Sequence, residues 1–541
     1  MFNLMEQPCV PVGRGGSIDD VSLREALLAS HEIDGLALEH AVQEPPLLRL
    51  LVAIVLRAFG PPRDARDLTG RWRKRRFPEA PLEVYLNSVA GAFDLFSLDR
   101  PFAQVANLHT SNDETKASSL LIPAIPSGNN VPLFAGRTEG DPVPLTPAEA
   151  ARWLLSTHAW DTAAIKSGAV GDPAAKGGKT TGNPTGPLGQ LGVVIPIGAT
   201  LFETILLNLP WRADGADPRD IPHWEKKVPA SPVWERRQPL GVVELLTWQS
   251  RRIRLVPTQR DDGSVVVERV VVAGGDRLVN TPEYEPHTAW NIVKVSKPGD
   301  PSMRPRRHQS GQAAWRGLPA LLALKPDASS KTQTSTLLTQ LAVLEDGTTL
   351  TDDYPLLLHT VGVEYGNMSA VVENVIADQF PLPVAALRAD LGLRDLLEQI
   401  ASQAKALHDA ANFLQGDLRR AAGGDPVPWD KSQRPGELVL HALNGVVRRI
   451  LTGFQTSDVN TLLIESATVA WQQTARQTTL DTVEPLLRAA PPKTFLGRPI
   501  SPERRVTAGS AESAFRRRLA ETLPRARAPR TSPPATQEEV A

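Results

Sequence analysis

The sequence predicts an α+β protein, with a large, loop-rich mixed N-terminal domain over 1–383 and a C-terminal four-helix bundle over 384–523. Three observations carry this. From about Val384 apolar residues recur at three-to-four spacing in four segments, with short Gly/Pro/Asp-rich breaks, as antiparallel helices require. Strand-like runs around Asp-Gly turns fall only before that point. The 48 prolines and 39 glycines demand many loops and short elements. At 541 residues the chain exceeds one hydrophobic core, and the texture changes near Pro381–Pro383.

The elements follow in order. Ser22–Ala29 reads as a helix, with Ser22 and Glu25 as a capping box. The apolar run Pro46–Ala58 is a second. Thr146-Pro147-Ala148-Glu149 opens a third, with the threonine as cap and the proline in the first turn. Leu201–Leu209 reads as a buried helix. Arg252–Pro257 and Ser264–Val272 flank Asp261-Asp262-Gly263 and form a hairpin. Asp346-Gly347 offers a second such turn, between Leu341–Leu344 and Thr348–Leu350. The segment from Val384 to about Ala421, then Leu438–Phe454, Leu462–Leu487 and Ala511–Leu523, supply the bundle. Residues 524–541 read as a disordered tail.

Composition narrows the function. Apolar content of 41% with 22% charge is ordinary for a folded, soluble protein, and the formal charge of −1 confines any nucleic-acid affinity to local patches. The single cysteine, Cys9, excludes a disulfide framework and a cysteine-cluster zinc site, and reads as a core or edge residue. The N-terminus lacks a signal peptide, and no apolar run is long enough to span a membrane. A cytoplasmic location without a membrane partner is expected.

The stretch Lys176-Gly177-Gly178-Lys179-Thr180-Thr181-Gly182 resembles the end of a P-loop, but Pro173 stands where the first glycine of that motif belongs. No buried strand precedes it. What survives is a loop whose glycines let the backbone approach a polyanion while Lys176 and Lys179 supply charge, or a plain solvated loop. The histidines show no metal-binding spacing, there is no nucleophile elbow, and Asp352-Asp353 beside Tyr354-Pro355 reads as a solvated turn. No catalytic site, metal or cofactor is expected. Arg71–Phe77 sets five cations among two aromatics, either a phosphate-binding and stacking surface or an exposed helix end with Trp72 and Phe77 buried. Trp248–Arg254 and Arg304–His308 are further basic candidates, with salt bridges as the alternative.

Taken in order, several segments resemble the large subunit of the type I-E CRISPR surveillance complex Cascade, the CasA family. They include Phe2-Asn3-Leu4…Pro8-Cys9-Val10-Pro11-Val12, Phe93-Asp94-Leu95-Phe96…Pro101-Phe102-Ala103-Gln104, and Asn129-Asn130…Leu133-Phe134. Glu149–Leu155, Gly186–Gly189, Leu201–Thr204, Thr247–Leu255 and Trp315–Leu318 continue the series. The resemblance runs from residue 2 to about 520. It implies a non-catalytic subunit that joins guide RNA and the other Cascade subunits. Such a subunit reads the protospacer-adjacent motif (PAM) in double-stranded target DNA, promotes strand separation and R-loop formation, and recruits a helicase-nuclease. Three elements of the family touch the PAM duplex. By resemblance these are the glycine-rich loop at Lys176, Gly177, Gly178 and Lys179, a basic finger at Arg277, and a wedge at a hairpin tip, Asn367, Met368 and Ser369. The family's wedge often bears glutamine, and this sequence has none there. Asn129 and Asn130 fall in the family's guide-RNA and subunit docking loop, where they either bond RNA or shape a turn. A nucleotide-dependent enzyme built on Gly178-Lys179-Thr180, or a scaffold that reads no PAM, are the rival readings.

Overall fold

The computed structural model describes residues 1–125, 141, 143–212, 215, 217–295, 302–324, 330–344, 349–366, 368–388, 392–424, 434–501 and 504–526. The chain forms two compact units: Met1–Ala314 with Ala320–Leu387, and Trp315–Pro319 with Arg388–Ala541. The division at 387/388 lies just beyond the expected texture change.

In the first unit the helix Glu44–Phe59 lies at the centre, with every residue from Leu47 to Leu56 buried. A helix apolar around its whole circumference can only be stable inside. The exception to its apolar run is Arg49, whose guanidinium makes a bidentate pair with Glu285 at 2.8 and 3.1 Å and donates to the Leu245 carbonyl. Burial pushes the Glu285 carboxyl up, but Arg49 and His287 outweigh it and hold the group at about 2. The expected caps form at Ser22 and Thr146, whose side chains each accept from the backbone N–H three residues on. The full capping box stands at Thr146 and not at Ser22, where Glu25 pairs with Arg14 at 3.5 Å instead; Thr200 caps Leu201–Leu207 in the same way as Ser22. Cys9 is buried, and burial pushes its thiol up to about 12, so it belongs to the core.

The strands that bear on the site are β1 (Lys116–Ala117), β2 (Lys166–Ser167), β3 (Lys179–Thr180), β4 (Val193–Ile197), β5 (Arg236–Arg237), β6 (Arg251–Gln259), β7 (Val265–Gly274), β8 (Arg277–Leu278), β9 (Leu357–Gly366) and β10 (Val371–Pro381). Strand β7 organises one sheet. It pairs antiparallel with β6 through the predicted Asp261-Asp262-Gly263 turn and antiparallel with β1, and its end at Ala273 pairs parallel with Ser167 of β2. Strand β2 in turn pairs with β3. A second sheet has the order β10-β9-β4, and β5 and β8 form a short parallel ribbon.

The expected second Asp-Gly hairpin does not form as read. Leu341 lies in the helix Thr336–Ala342, capped by Ser335, and its three-to-four spacing with Leu337 and Leu338 buries one helical face. Residues 345–348 lie outside the described residues.

The second unit is the helical bundle: α1 (Leu393–Ala422), α2 (Pro435–Gln455), α3 (Thr461–Arg488) and α4 (Ala508–Thr522). Helix α1 packs against the other three. A polar chain crosses the core, with Trp471 Nε1 donating to Gln403 at 2.8 Å and Gln403 donating to the Thr522 carbonyl at 3.0 Å. Satisfying both amide and indole is what lets Trp471 be buried without a desolvation penalty. Trp315 joins this unit through its indole N–H, which donates to Asn444 at 2.9 Å. The expectation that strands vanish after Val384 needs correction, because Arg498–Ser501 and Arg504–Val506 pair as a short hairpin. The tail also starts later than expected. Pro524–Ala526 forms a 3₁₀ turn, Ala526 is buried, and Arg525 N–H donates to Gln472; 527–541 lie outside the described residues. No helix among the described residues is long and apolar enough to cross a membrane.

Buried histidines set the pH response of the first unit. His158 and His287 are both enclosed, and burial lowers both, His158 from 6.5 to about 4. Unfolding below the ordinary histidine range lets each take up a proton, so their contribution is intact above the unfolded value and is lost as pH falls toward the folded one. Each fully titrating group adds a slope of roughly 1.4 kcal/mol per pH unit. Thermal unfolding of the isolated chain is expected to move to lower temperature steadily from about pH 6.5 to about pH 4.5. A flat profile over that window would show these histidines to be accessible.

Candidate nucleic-acid interface

The helix Pro147–Trp160 ends and the chain leaves on an excursion, 161–186, that returns to its origin, where the Gly186 N–H donates to the Asp161 carbonyl at 2.8 Å. Charge holds this neck. The Asp161 carboxylate pairs with Lys166 Nζ at 2.7 Å and with Arg251 Nε at 2.5 Å. Arg251 Nη2 also donates to the carbonyls of Thr162 at 2.8 Å and Pro184 at 2.7 Å, so one guanidinium ties both arms. Arg251 and Lys166 are buried. Burial raises the Asp161 carboxyl, but Lys166 and Arg251 outweigh it and the group stays below the usual carboxylate range.

At the tip, Lys176 and Lys179 exchange backbone hydrogen bonds of 2.9 and 3.1 Å around Gly177 and Gly178. Both glycines have positive φ, +56° and +72°. Two left-handed residues in a two-residue loop give the turn whose twist matches the flanking strands, and glycine adopts it without strain. Nothing lies within 4 Å of a Cβ built on either glycine, and both lysines are exposed. The turn thus presents bare backbone and two cations to solvent. Gly168, one strand away, is constrained by crowding instead. A Cβ there would sit 2.7 Å from the Gly178 carbonyl carbon and 2.8 Å from the Lys179 nitrogen, and its N–H donates to the Gly178 carbonyl.

The rival P-loop arrangement is absent. Lys179-Thr180 enters strand β3 rather than opening a helix, so the loop lacks the following helix N-terminus that a P-loop sets against phosphate. Thr180 is buried and its hydroxyl donates to Asp172 at 2.7 Å.

Two more elements meet this excursion. The Arg277 guanidinium donates to the Thr181 carbonyl at 2.9 Å and to Asn183 Oδ1 at 3.2 Å, and lies 3.8 Å over the Trp234 ring. The β9–β10 hairpin brings its tip alongside. The Ser369 carbonyl accepts from Ala163 N–H at 2.8 Å, and Tyr365 Oη donates to the Trp160 carbonyl at 2.5 Å. Met368 and Ser369 have positive φ, +54° and +62°, and Met368 is 92% exposed. The glycine turn, Arg277 and the hairpin tip therefore share one support. Asn367, Asn129 and Asn130 lie outside the described residues.

Residues 3–482 match the family described as CRISPR-associated protein Cse1. The chain belongs to that family. It is the same family of large Cascade subunits, also called CasA, that the ordered sequence segments resemble. The chain is similar to Thermobifida fusca Cse1, at 31% identity with a TM-score of 0.83 over 97% of this chain and 99% of that one. It is 29% identical to a CasA/Cse1 protein of Thermus thermophilus over 88% of this chain and 92% of that protein. A chain from a CRISPR RNA-guided surveillance complex shares the fold, with a TM-score of 0.68 at 19% identity over 96% of this chain and 99% of that one.

The other basic segments resolve differently. In Trp248–Arg254, Arg251 and Arg252 are buried, Arg252 pairing with Asp276 at 2.8 Å, and Arg254 donates to the Leu108 carbonyl. Their alternation serves interior ion pairs, so this segment is not an open cationic face. His308 is hydrogen-bonded to the Val193 carbonyl, and burial followed by Arg306 lowers its pKa, while Arg304, Arg306 and Arg307 are exposed. In Arg71–Phe77 the helix Ala65–Trp72 ends, Phe77 is buried against Phe59 and Phe202, Trp72 meets Tyr354 edge-on, and 73–76 are exposed. Among the described residues no cluster of three or more His, Cys, Asp or Glu is placed to hold a metal ion.

Sequence reasoning missed most of the neck and its supports, Asp161, Lys166, Gly168, Asn183 and Trp234, while Arg251 lies in the Trp248–Arg254 segment whose salt-bridge alternative is the one that forms. The one signal available was the pair Arg251-Arg252 at the head of a strand with apolar Ile253, Leu255 and Val256, because arginines buried there require acids elsewhere in the chain.

Proposed function

We propose that this chain is the non-catalytic PAM-reading subunit of a cytoplasmic, RNA-guided antiviral surveillance complex. Its partners are the guide RNA, the other Cascade subunits, duplex target DNA and the helicase-nuclease that follows recognition. The observation that carries this is the convergence of the glycine turn, Arg277 and the hairpin tip on the 161–186 excursion. Membership of the Cse1 family supports it.

The chemistry is backbone approach, charge and insertion. A turn without Cβ atoms can come close to phosphates, and Lys176 and Lys179 add sequence-independent attraction. Minor-groove edges distinguish chiefly A·T from G·C, so several PAMs are tolerated. Met368 supplies an apolar tip able to part a base step, in place of the family's polar wedge. Guide pairing then reads the remaining sequence. Asn129 and Asn130 belong to the loop assigned to guide-RNA and subunit docking, and the bundle to neighbouring small subunits and the displaced strand.

Changing Lys176 and Lys179 together to glutamine is expected to weaken binding of the assembled complex to PAM and PAM-scrambled duplexes alike. The salt slope should fall by roughly 1.8, about 0.9 for each lost phosphate contact. A changed PAM preference with an intact slope would contradict this role for the lysines.

A further inference from the structure

We propose that Arg236, rather than Arg277, is the phosphate-contacting cation on this side of the interface, and that Arg277 is the strut that holds the glycine loop in place. The inference rests on the nucleic-acid reading above, because it takes this face to meet a duplex.

Arg277 is already committed. One terminal nitrogen bridges Thr181 and Asn183 and its plane stacks on Trp234, while its Nε is buried with no hydrogen-bond partner among the described residues and so is closed to a phosphate. Moving it to a phosphate would break two hydrogen bonds and a cation–π contact, each favourable in a partly desolvated setting. These contacts instead join the β5–β8 ribbon to the return arm of the glycine excursion. Asn183 continues the link by donating to the Thr180 and Ala164 carbonyls.

Arg236 is placed for the role that Arg277 has left. In the parallel β5–β8 pair it lies in register with Arg277. Laterally paired residues share a face, and successive residues along a strand alternate. Arg236 therefore shares the face of Arg277, and Trp234, two residues before it, shares that face too and lies under the Arg277 guanidinium. The next residue, Arg237, goes to the other face and is engaged by Glu244 at 3.0 Å and Asp276 at 3.2 Å. Asp276 is occupied as well, by Arg252 and by the Glu235 N–H. Arg236 is exposed and, among the described residues, its side chain makes no hydrogen bond or ion pair. It is a cation held by its strand on the glycine-loop side and left without an acceptor, which suits a backbone phosphate of duplex DNA.

The test uses the guide-loaded complex assembled with Arg236→Gln, Arg277→Lys or Arg277→Gln. Equilibrium binding to PAM and PAM-scrambled duplexes is followed across a salt series. Arg236→Gln is expected to lower the salt slope by roughly 0.9 and to weaken both duplexes by the same factor. Arg277→Lys keeps the charge but loses the planar fork and the stacking, so PAM preference should fall while the slope stays. An unchanged slope in Arg236→Gln overturns the proposal. So does wild-type behaviour of Arg277→Lys combined with a slope loss in Arg277→Gln, since Arg277 would then be the phosphate contact. A wild-type complex that binds both duplexes equally would instead sink the PAM reading, while the Arg236→Gln slope would still report a phosphate contact.

Discussion

Asp161→Ala is expected to destabilise the first unit by about 3–5 kcal/mol, because it leaves Lys166 and Arg251 buried without their counter-ion. The loss is large because removing one member of a buried pair exposes the full desolvation cost of the other. Here two cations depend on one carboxylate. Asp161→Asn keeps the shape of the side chain but removes the charge, so it should recover only a minor part. The checking measurement is denaturant unfolding of the isolated chain, read on the transition of the first unit, since two compact units need not unfold together. A change below about 1 kcal/mol for Asp161→Ala would show that the neck is held by its backbone and not by its charges.

Gly168→Ala should weaken both the fold and duplex binding. The added methyl meets backbone, not a movable side chain, so β2 and β3 must separate and the Lys176–Lys179 turn must shift. Overpacking of this kind costs about 1–3 kcal/mol. If that cost falls on the bound geometry, PAM-duplex affinity drops by roughly five- to hundredfold. The comparison for the fold is Gly178→Ala, which meets no atom within 4 Å in the free chain and strains it only through its positive φ, although its methyl also stands on the face proposed to meet the duplex. Its cost in denaturant unfolding of the isolated chain should be smaller than that of Gly168→Ala. Equal losses, or none at Gly168, would remove the turn's position from the account.

The contrast between these two glycines shows where the sequence is legible and where it is not. Gly177-Gly178 between two lysines reads as a loop from its neighbours alone, and the structure tightens it to a two-residue turn, because the φ requirement is local. Gly168 looks like any other small residue, because what constrains it is a strand that arrives ten residues later. Asp161 and Arg251 are separated by 90 positions, and their pairing leaves no periodic trace. The Arg251–Arg254 alternation is for this reason open to an exposed cationic reading. Long elements behave oppositely. Helices α1 to α4 repeat their apolar spacing over many turns, and the β6–β7 hairpin announces itself through Asp-Gly. Short elements without a period escape, as Arg498–Ser501 and Arg504–Val506 do between helices. Trp315–Pro319 belongs to the second unit through an indole bond to Asn444, which no local pattern encodes.

The three elements proposed to contact the duplex need not be rigid individually. The hairpin tip borrows its position from Ala163 and Trp160, the turn from Gly168, and Arg277 from Trp234 and Asn183. All of these residues lie on or against one excursion whose neck is ionic. Disturbing the neck should therefore impair all three elements together.

The most direct measurement is duplex-DNA binding by the guide-loaded complex, with and without this chain, on PAM and PAM-scrambled targets. Adding the chain is expected to raise affinity for the PAM duplex selectively, and Gly168→Ala to remove the selectivity while assembly is retained. Affinity that does not depend on the chain, or that rises equally on both targets, would contradict PAM reading and leave this chain as a scaffold.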